Sequence, residues 1–261
     1  MLKINFLGTC AGTEPIPTCH HSSWVLEVNG VNYWFDAGEN CAHRAVSMGI
    51  DVMKTVALFV SHPHIDHIGG MANLLFAMDK MVSRYGQTMV KDNALRIFFP
   101  ELPLLDAVKA VAMGGAGRSL RFETKEYPVA DGLLYEDENV RVTALHNTHL
   151  GEDGSRGWHA YSFLIEADGK KIVFSGDVGK PEELDPLMGD GCDMLLMETG
   201  HHKVKDVLAY AVSRKAKHLR FIHNGREILE DRPAMDRLAY QTTAEHPICV
   251  RITKDGDTEL L

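Results

Sequence analysis

Four potential metal ligands crowd into six residues: His62, His64, Asp66 and His67, within Ser61-His62-Pro63-His64-Ile65-Asp66-His67-Ile68-Gly69-Gly70. Imidazole nitrogen and carboxylate oxygen together suit zinc, with manganese and iron as alternatives. Pro63 restricts His62 to extended backbone, which puts His62 and His64 on one side of the chain. Asp66 and His67 then open a helix and point to an adjacent position. Two pairs aimed at neighbouring points suggest two divalent ions rather than one. Gly69 and Gly70 weaken the helix, as expected where backbone packs closely beneath a metal site. A histidine-rich surface turn is the alternative reading, and the strongly apolar stretch before Ser61 argues against it.

That cluster follows a buried strand at Thr55–Val60 and leads into a helix from Asp66 to about Val82, with apolar residues at helical spacing. Before it, Ser22–Val28 and Val31–Phe35 flank Asn29-Gly30, a hairpin signal because both positions tolerate positive φ. Leu2–Leu7 and Arg96–Phe99 read as further strands, and Leu102–Met113 as a helix. The second half repeats the style. Strands are expected at Val140–Leu145, Ala160–Ile165, Lys171–Phe174, Met194–Met197 and Leu219–Ile222, with a turn at Ala167-Asp168-Gly169. Helices are expected near Pro181–Leu187, Val204–Arg214 and Arg226–Tyr240. Strands followed by helices, twice over, fit an α/β sandwich of two β-sheets with helices outside.

With 261 residues, 45% of them hydrophobic and 24% charged, the chain is long enough for one large globular domain. Its net charge of −9 offers no global attraction for nucleic acid. The opening residues are too short and alternating for a signal peptide, and no run approaches a membrane span, so a cytoplasmic protein with no membrane partner is expected. Five scattered cysteines form neither a disulfide framework nor a CxxC metal site and read as reduced thiols.

His-x-His-x-Asp-His after a buried strand resembles the second motif of the metallo-β-lactamase superfamily, and the similarity extends over nearly the whole chain. Asp36, after Tyr33-Trp34-Phe35, is similar to the first-motif aspartate that orders the metal-binding loop. Asp177, in Ser175-Gly176-Asp177, is similar to the bridging aspartate of the fourth motif, and His223 to the final histidine. The third motif offers His146 and His149; the family's ligand lies a few residues past its strand, which favours His149. Phe6-Leu7-Gly8-Thr9, with Ser22-Ser23, is most similar to the tRNase Z-like phosphodiesterase branch. The resemblance implies a single αββα-sandwich domain over residues 1–261, with two mixed β-sheets packed together. It also implies one ion held by His62, His64 and His149, another by Asp66, His67 and His223, and Asp177 bridging them.

Two divalent ions at such a site lower the pKa of a shared water and polarise a substrate oxygen. A phosphodiester, lactone, thioester or other carbonyl ester would all be open to attack, and the fold does not choose. The complete ligand set favours a small or nucleotide-like phosphodiester. So does the helix start after His223-Asn224-Gly225, which would offer backbone N–H groups and Arg226 to an anion. Hydrolysis of a lactone, thioester or carbonyl ester, tRNA 3′ processing and a non-catalytic metal-binding sensor are the alternatives. The stretch 81–139 reads as a compact strand–helix–strand with no counterpart of the tRNA-gripping arm. With the charge of −9, this disfavours nucleic acid as partner; a homodimer is left open. For the leaving group, Glu198-Thr199-Gly200-His201-His202 lies near the branch's His-Glu motif, but Met197 takes that histidine's place. His201 or His202, oriented by Glu198, is the candidate acid, and Asp66 counts as catalytic as well as ligating. His20 and His21 are candidates to line the pocket.

Overall fold

Asn29 and Gly30 adopt φ of 51° and 80° and join β2 (Ser23–Val28) to β3 (Val31–Phe35), the geometry that matches the twist of a two-residue hairpin. Asp168 and Gly169, at 49° and 72°, do the same between β9 (Tyr161–Ala167) and β10 (Lys170–Phe174). The computed structural model describes residues 2–115, 117–151 and 157–261. Contacts group the chain into two compact units: Met1–Gly8, Pro15–Val129 and Asp255–Leu261 in one, Thr9–Glu14 and Ala130–Lys254 in the other.

The first unit holds β1 (Leu2–Gly8), β2, β3, β4 (Thr55–Phe59), β5 (Ala94–Phe99), β6 (Glu123–Pro128) and β14 (Thr258–Leu260). They form a mixed seven-stranded sheet in the order β14-β1-β2-β3-β4-β5-β6. Its first three pairings are antiparallel and its last three parallel. One sheet face packs on α1 (Cys41–Ser47), α3 (Met71–Tyr85) and α4 (Leu102–Met113), through Trp34, Leu58 and Ile97 against Leu74, Leu75, Met78 and Leu105. On the other face a ladder of stacked rings runs strand by strand through Trp24, Phe35, Phe59, Phe98 and Tyr127, with centroids 4.2–5.1 Å apart. Each stacked pair contributes about 0.5–1.5 kcal/mol beyond area burial. The ladder stiffens the sheet one residue short of Asp36 and two short of Ser61.

The second unit repeats the pattern. Its order is β13-β12-β11-β10-β9-β8-β7, with β7 at Gly132–Glu136, β8 at Val140–His146, β11 at Cys192–Glu198, β12 at Ala216–Ile222 and β13 at Cys249–Ile252. Counted from β7, three antiparallel pairings again precede three parallel ones. Val173, Leu195, Leu219 and Phe221 meet α5 (Asp185–Met188), α6 (Val204–Ser213), α7 (Arg226–Glu230) and α8 (Arg232–Glu245) in its core.

Three expected helices are broken; the Pro181–Leu187 stretch opens as a 3-10 turn over Pro181–Leu184 and becomes α-helical only in α5. The Asp66–Val82 stretch is split into α2 (Ile65–Ile68) and α3 by Gly69-Gly70, and Arg226–Tyr240 breaks at Asp231. There the Asp231 carboxylate caps a fresh helix by accepting from Ala234 N, and Pro233 sits in its first turn, where a missing N–H is harmless. The stretch 81–139 holds two strands after its helix, β6 and β7, where one was expected, and the short α1 and the late β13 and β14 carry too little periodicity to be expected from sequence. No helix among the described residues is long and apolar enough to cross a membrane.

Candidate metal centre

Each unit gathers candidate ligands of its own just past the carboxyl ends of its strands, where open α/β sheets leave their loops. In the first unit, Asp36 ends β3 in the left-handed region at φ 54°, fully buried. Its Oδ1 accepts from Ser61 N at 2.7 Å; its Oδ2 accepts from Ser61 Oγ at 2.8 Å and faces His67 Nδ1 at 2.7 Å. Ser61 Oγ lies 3.1 Å from His62 Nδ1. If Ser61 donates to Asp36, then both His62 and His67 carry their proton on Nδ1, and each turns an Nε2 lone pair outward. That is the tautomer a metal needs. Gly70 lets the turn behind these ligands close, because a Cβ there would stand 2.1 Å from Gly38 O.

His62 Nε2 and His64 Nδ1 converge to 3.1 Å, and His67 Nε2 lies 3.5 Å from Asp66 Oδ2. In the second unit His149 Nε2 is 3.7 Å from Asp177 Oδ2, and His223 Nε2 is 3.4 Å from Asp177 Oδ1. Tetrahedral ligands at zinc bond lengths would stand roughly 3.3–3.6 Å apart. The four separations scatter about that edge length, so the donors fit divalent ions in chemistry and in spacing. Asp177 is buried, and its two oxygens face different histidines. A bridging carboxylate needs that disposition.

His146 takes no part. Asp131 Oδ1 accepts from His146 N at 2.7 Å and Asp131 Oδ2 faces its Nδ1 at 2.6 Å, while Trp158 stacks on the ring at 3.9 Å. Of the adjacent pair His201 and His202, only His201 stays open to solvent, its side chain 44% exposed. Its Nδ1 meets Glu198 Oε1 at 3.2 Å and Asp177 Oδ2 at 3.7 Å. His202 points inward, with Nε2 on Val178 O at 3.0 Å and Glu198 Oε1 at 3.3 Å. Burial opposes the charge on Glu198, but hydrogen bonds from both histidines win and hold its carboxyl at about 2. Burial alone would depress His202; the Glu198 carboxylate reverses that and raises it. Asp177, Glu198, His201 and His223 offer ligand atoms all within 4.8 Å of one another, a second way in which this unit could hold an ion.

His20 is tied elsewhere. Its Nδ1 and backbone N meet Asp255 Oδ2 at 2.8 and 2.7 Å, and its Nε2 faces Asn40 Nδ2 at 2.8 Å. His21 packs its carbonyl against Gly8 and Gly38. Among the described residues no cysteine joins the groups that could hold a metal ion, and burial pushes the Cys41 and Cys192 thiols up to about 12.

Sequence reasoning passed over Gly200. A Cβ there would stand 2.7 Å from the His223 ring and 3.2 Å from the Ala11 Cβ. Gly200→Ala is therefore expected to push the imidazole aside and weaken metal retention by about 10–100-fold. Metal analysis of the variant alongside circular dichroism checks this; full metal content in a folded variant would refute it.

The sequence profile of the Anti-Pycsar protein Apyc1 family matches residues 2–229. The chain belongs to this family. This Apyc1-family chain is also 30% identical over 188 residues to a ribonuclease Z of Shouchella clausii, covering 71% of the chain and 54% of that relative. With a ribonuclease Z of Methanothermobacter thermautotrophicus it shares 27% over 149 residues, 57% of the chain and 45% of that relative. The chain thus spans about half the length of these curated relatives. Among solved structures it is similar to the metallo-β-lactamase fold protein YhfI of Bacillus subtilis. Their TM-score is 0.75 at 18% identity, covering 99% of this chain and 98% of the other. Against the short form of human tRNase Z the TM-score is 0.71 at 21% identity, with 99% and 98% covered. The Apyc1-family chain therefore has the metallo-β-lactamase fold, as its motifs imply.

Proposed function

We propose that this chain is a metal-dependent phosphodiesterase whose two ligand sets act together as one dinuclear centre within a single domain over residues 1–261. The observation that carries the reading is Asp177, with one carboxylate oxygen toward His149 and the other toward His223. His62, His64 and His149 would hold one ion, Asp66, His67 and His223 the other, and Asp177 both. Zinc suits the nitrogen-rich donor set best, with manganese and iron next. Bound there, two divalent ions supply a nucleophile at neutral pH and Lewis acidity toward a phosphoryl oxygen.

The chain's own residues supply the rest. Asp36 orders the loop of the first set through Ser61 and His67. His201 is the general acid, because Glu198 holds its Nδ1 while its side chain stays 44% exposed. His202 spends its Nε2 on Val178 O, so it supports Glu198 rather than the leaving group. The substrate class we favour is a small or nucleotide-like phosphodiester, met in the cytoplasm. The ribonuclease Z name of the curated relatives speaks for phosphodiester chemistry; it also keeps RNA as the second reading. Against RNA stand the charge of −9 and the alignment over only half of each relative.

Zinc-loaded protein is expected to cleave bis(p-nitrophenyl) phosphate and to leave precursor tRNA almost untouched; efficient tRNA cleavage would replace this substrate class by the second reading. Turnover of a lactone or thioester without diesterase activity would overturn the phosphodiesterase assignment. His201→Ala should slow an alkyl diester about 10²-fold or more, and the nitrophenyl diester far less, since a good leaving group needs little protonation. Equal losses on both would show that His201 binds substrate rather than donating a proton.

A further inference from the structure

His149 and Asp177 sit on loops 28 positions apart in the sequence, and one side chain outside both ligand sets ties these loops together. The Glu183 carboxylate accepts from Thr148 Oγ1 at 2.5 Å with its Oε1, and from Thr148 N and Gly179 N, both at 3.2 Å, with its Oε2. Thr148 adjoins His149, and Gly179 lies two residues past Asp177. The loops meet so tightly that a Cβ on Gly179 would stand 2.1 Å from Thr148 Oγ1. On the opposite flank a relay does the same work. Asn147 Oδ1 accepts from His149 N at 3.0 Å, Asn147 Nδ2 donates to Ser162 Oγ at 3.2 Å, and Ser162 Oγ donates to Ser175 O at 2.6 Å.

We propose that Glu183 is a positioning residue that holds His149 at coordinating distance from Asp177. The inference rests on the dinuclear reading above. Three donors converge on Glu183, and only a carboxylate accepts them all. A glutamine could turn its one oxygen to the two N–H groups and its amide to the Thr148 hydroxyl, which would then accept rather than donate, so it keeps the contacts and loses the charge. The Asn147 relay fixes the near side of each loop, so without Glu183 the far side swings and the 3.7 Å approach of His149 to Asp177 opens. Because His149 serves one ion only, the loss should fall on that ion. Outer-sphere partners of metal ligands typically change affinity by about 10–100-fold.

Zinc affinity, read by chelator competition on the purified protein, tests this in wild type, Glu183→Ala, Glu183→Gln, Thr148→Val and Thr148→Ser. In Glu183→Ala one of two ions should be held about 10–100-fold more weakly and the other within a few-fold of wild type, while Glu183→Gln, which keeps the contacts without the charge, should fall between Glu183→Ala and wild type. Thr148→Ser, which keeps the hydroxyl donor, should behave as wild type; Thr148→Val should lose affinity. Glu183→Ala combined with Thr148→Val should be no worse than the poorer single variant, because both remove one interaction. Wild-type affinity in Glu183→Ala, or full additivity of the two losses, overturns the proposal. So does equal weakening of both ions, which would mark a general loosening of the unit. If wild type itself binds fewer than two ions, the dinuclear reading fails instead, so the two failures are told apart by the wild-type titration alone.

Discussion

Replacing Asp177 by alanine is expected to release both metal ions and lower diesterase activity by on the order of 10³-fold or more. The carboxylate is buried and its oxygens face His149 at 3.7 Å and His223 at 3.4 Å, so one truncation removes a donor from each side. The His149 ion would be left with histidine ligands and no carboxylate, and the His223 ion with Asp66 as its one carboxylate ligand. Ions of this kind supply several kcal/mol of transition-state stabilisation, and about 4 kcal/mol corresponds to that fall in rate. Elemental analysis of the variant, prepared without chelators, is the direct check, with turnover of bis(p-nitrophenyl) phosphate beside it. Two retained ions and wild-type turnover would show that Asp177 is a turn residue and that the bridge lies elsewhere.

His149→Ala should cost one ion and at least about 10²-fold in activity, whereas His146→Ala should leave metal content intact. The contrast is sharp because the residues are three apart, one ending β8 and the other in the loop after it, and share a chemical type. His149 Nε2 is aimed at Asp177, while His146 is held by Asp131 and stacked on Trp158. The His146–Asp131 pair is partly exposed, so after solvent screening its loss with that of the ring stack should cost at most about 1 kcal/mol. In a domain of this size that is a fall in melting temperature of about 2–4 °C. Zinc content and thermal unfolding of the two variants, measured side by side, decide it. A His146 variant stripped of metal beside a metal-replete His149 variant would reverse the assignment.

Much of the site was legible because its parts are local. His62, His64, Asp66 and His67 lie within six residues, and over so short a stretch the extended Pro63 step and the helix start dictate where each side chain points. The hairpins at Asn29-Gly30 and Asp168-Gly169 were legible for the same reason, as positive φ at two adjacent positions narrows the choice of residue. The parallel strands β4 and β11 announce themselves as apolar runs because both of their faces are buried. Edge strands such as β6, with Glu123, Lys125 and Glu126 among its six residues, have no such pattern, so their bounds cannot be read along the chain.

The amino-acid order by itself determined which donors exist, how the first four are spaced, and that each follows the end of a strand. Only the tertiary structure decided which of two neighbouring histidines faces the Asp177 carboxylate. Asp131, 15 positions away, holds His146, and Val178 and Glu198 hold His202 turned inward while His201 stays exposed. Glu183 left no trace in sequence, since nothing local distinguishes a carboxylate in a short 3-10 turn from any solvated one until Thr148, 35 positions earlier, comes to rest on it. The same holds for the chain ends. Residues 9–14 cross to pair Cys10 with Asn224, and 255–261 return to lay β14 on β1. Local spacing is set by covalent geometry and can be read along the chain. Contacts between distant residues exist only once burial and hydrogen bonding have offset the entropy of closing the loops between them.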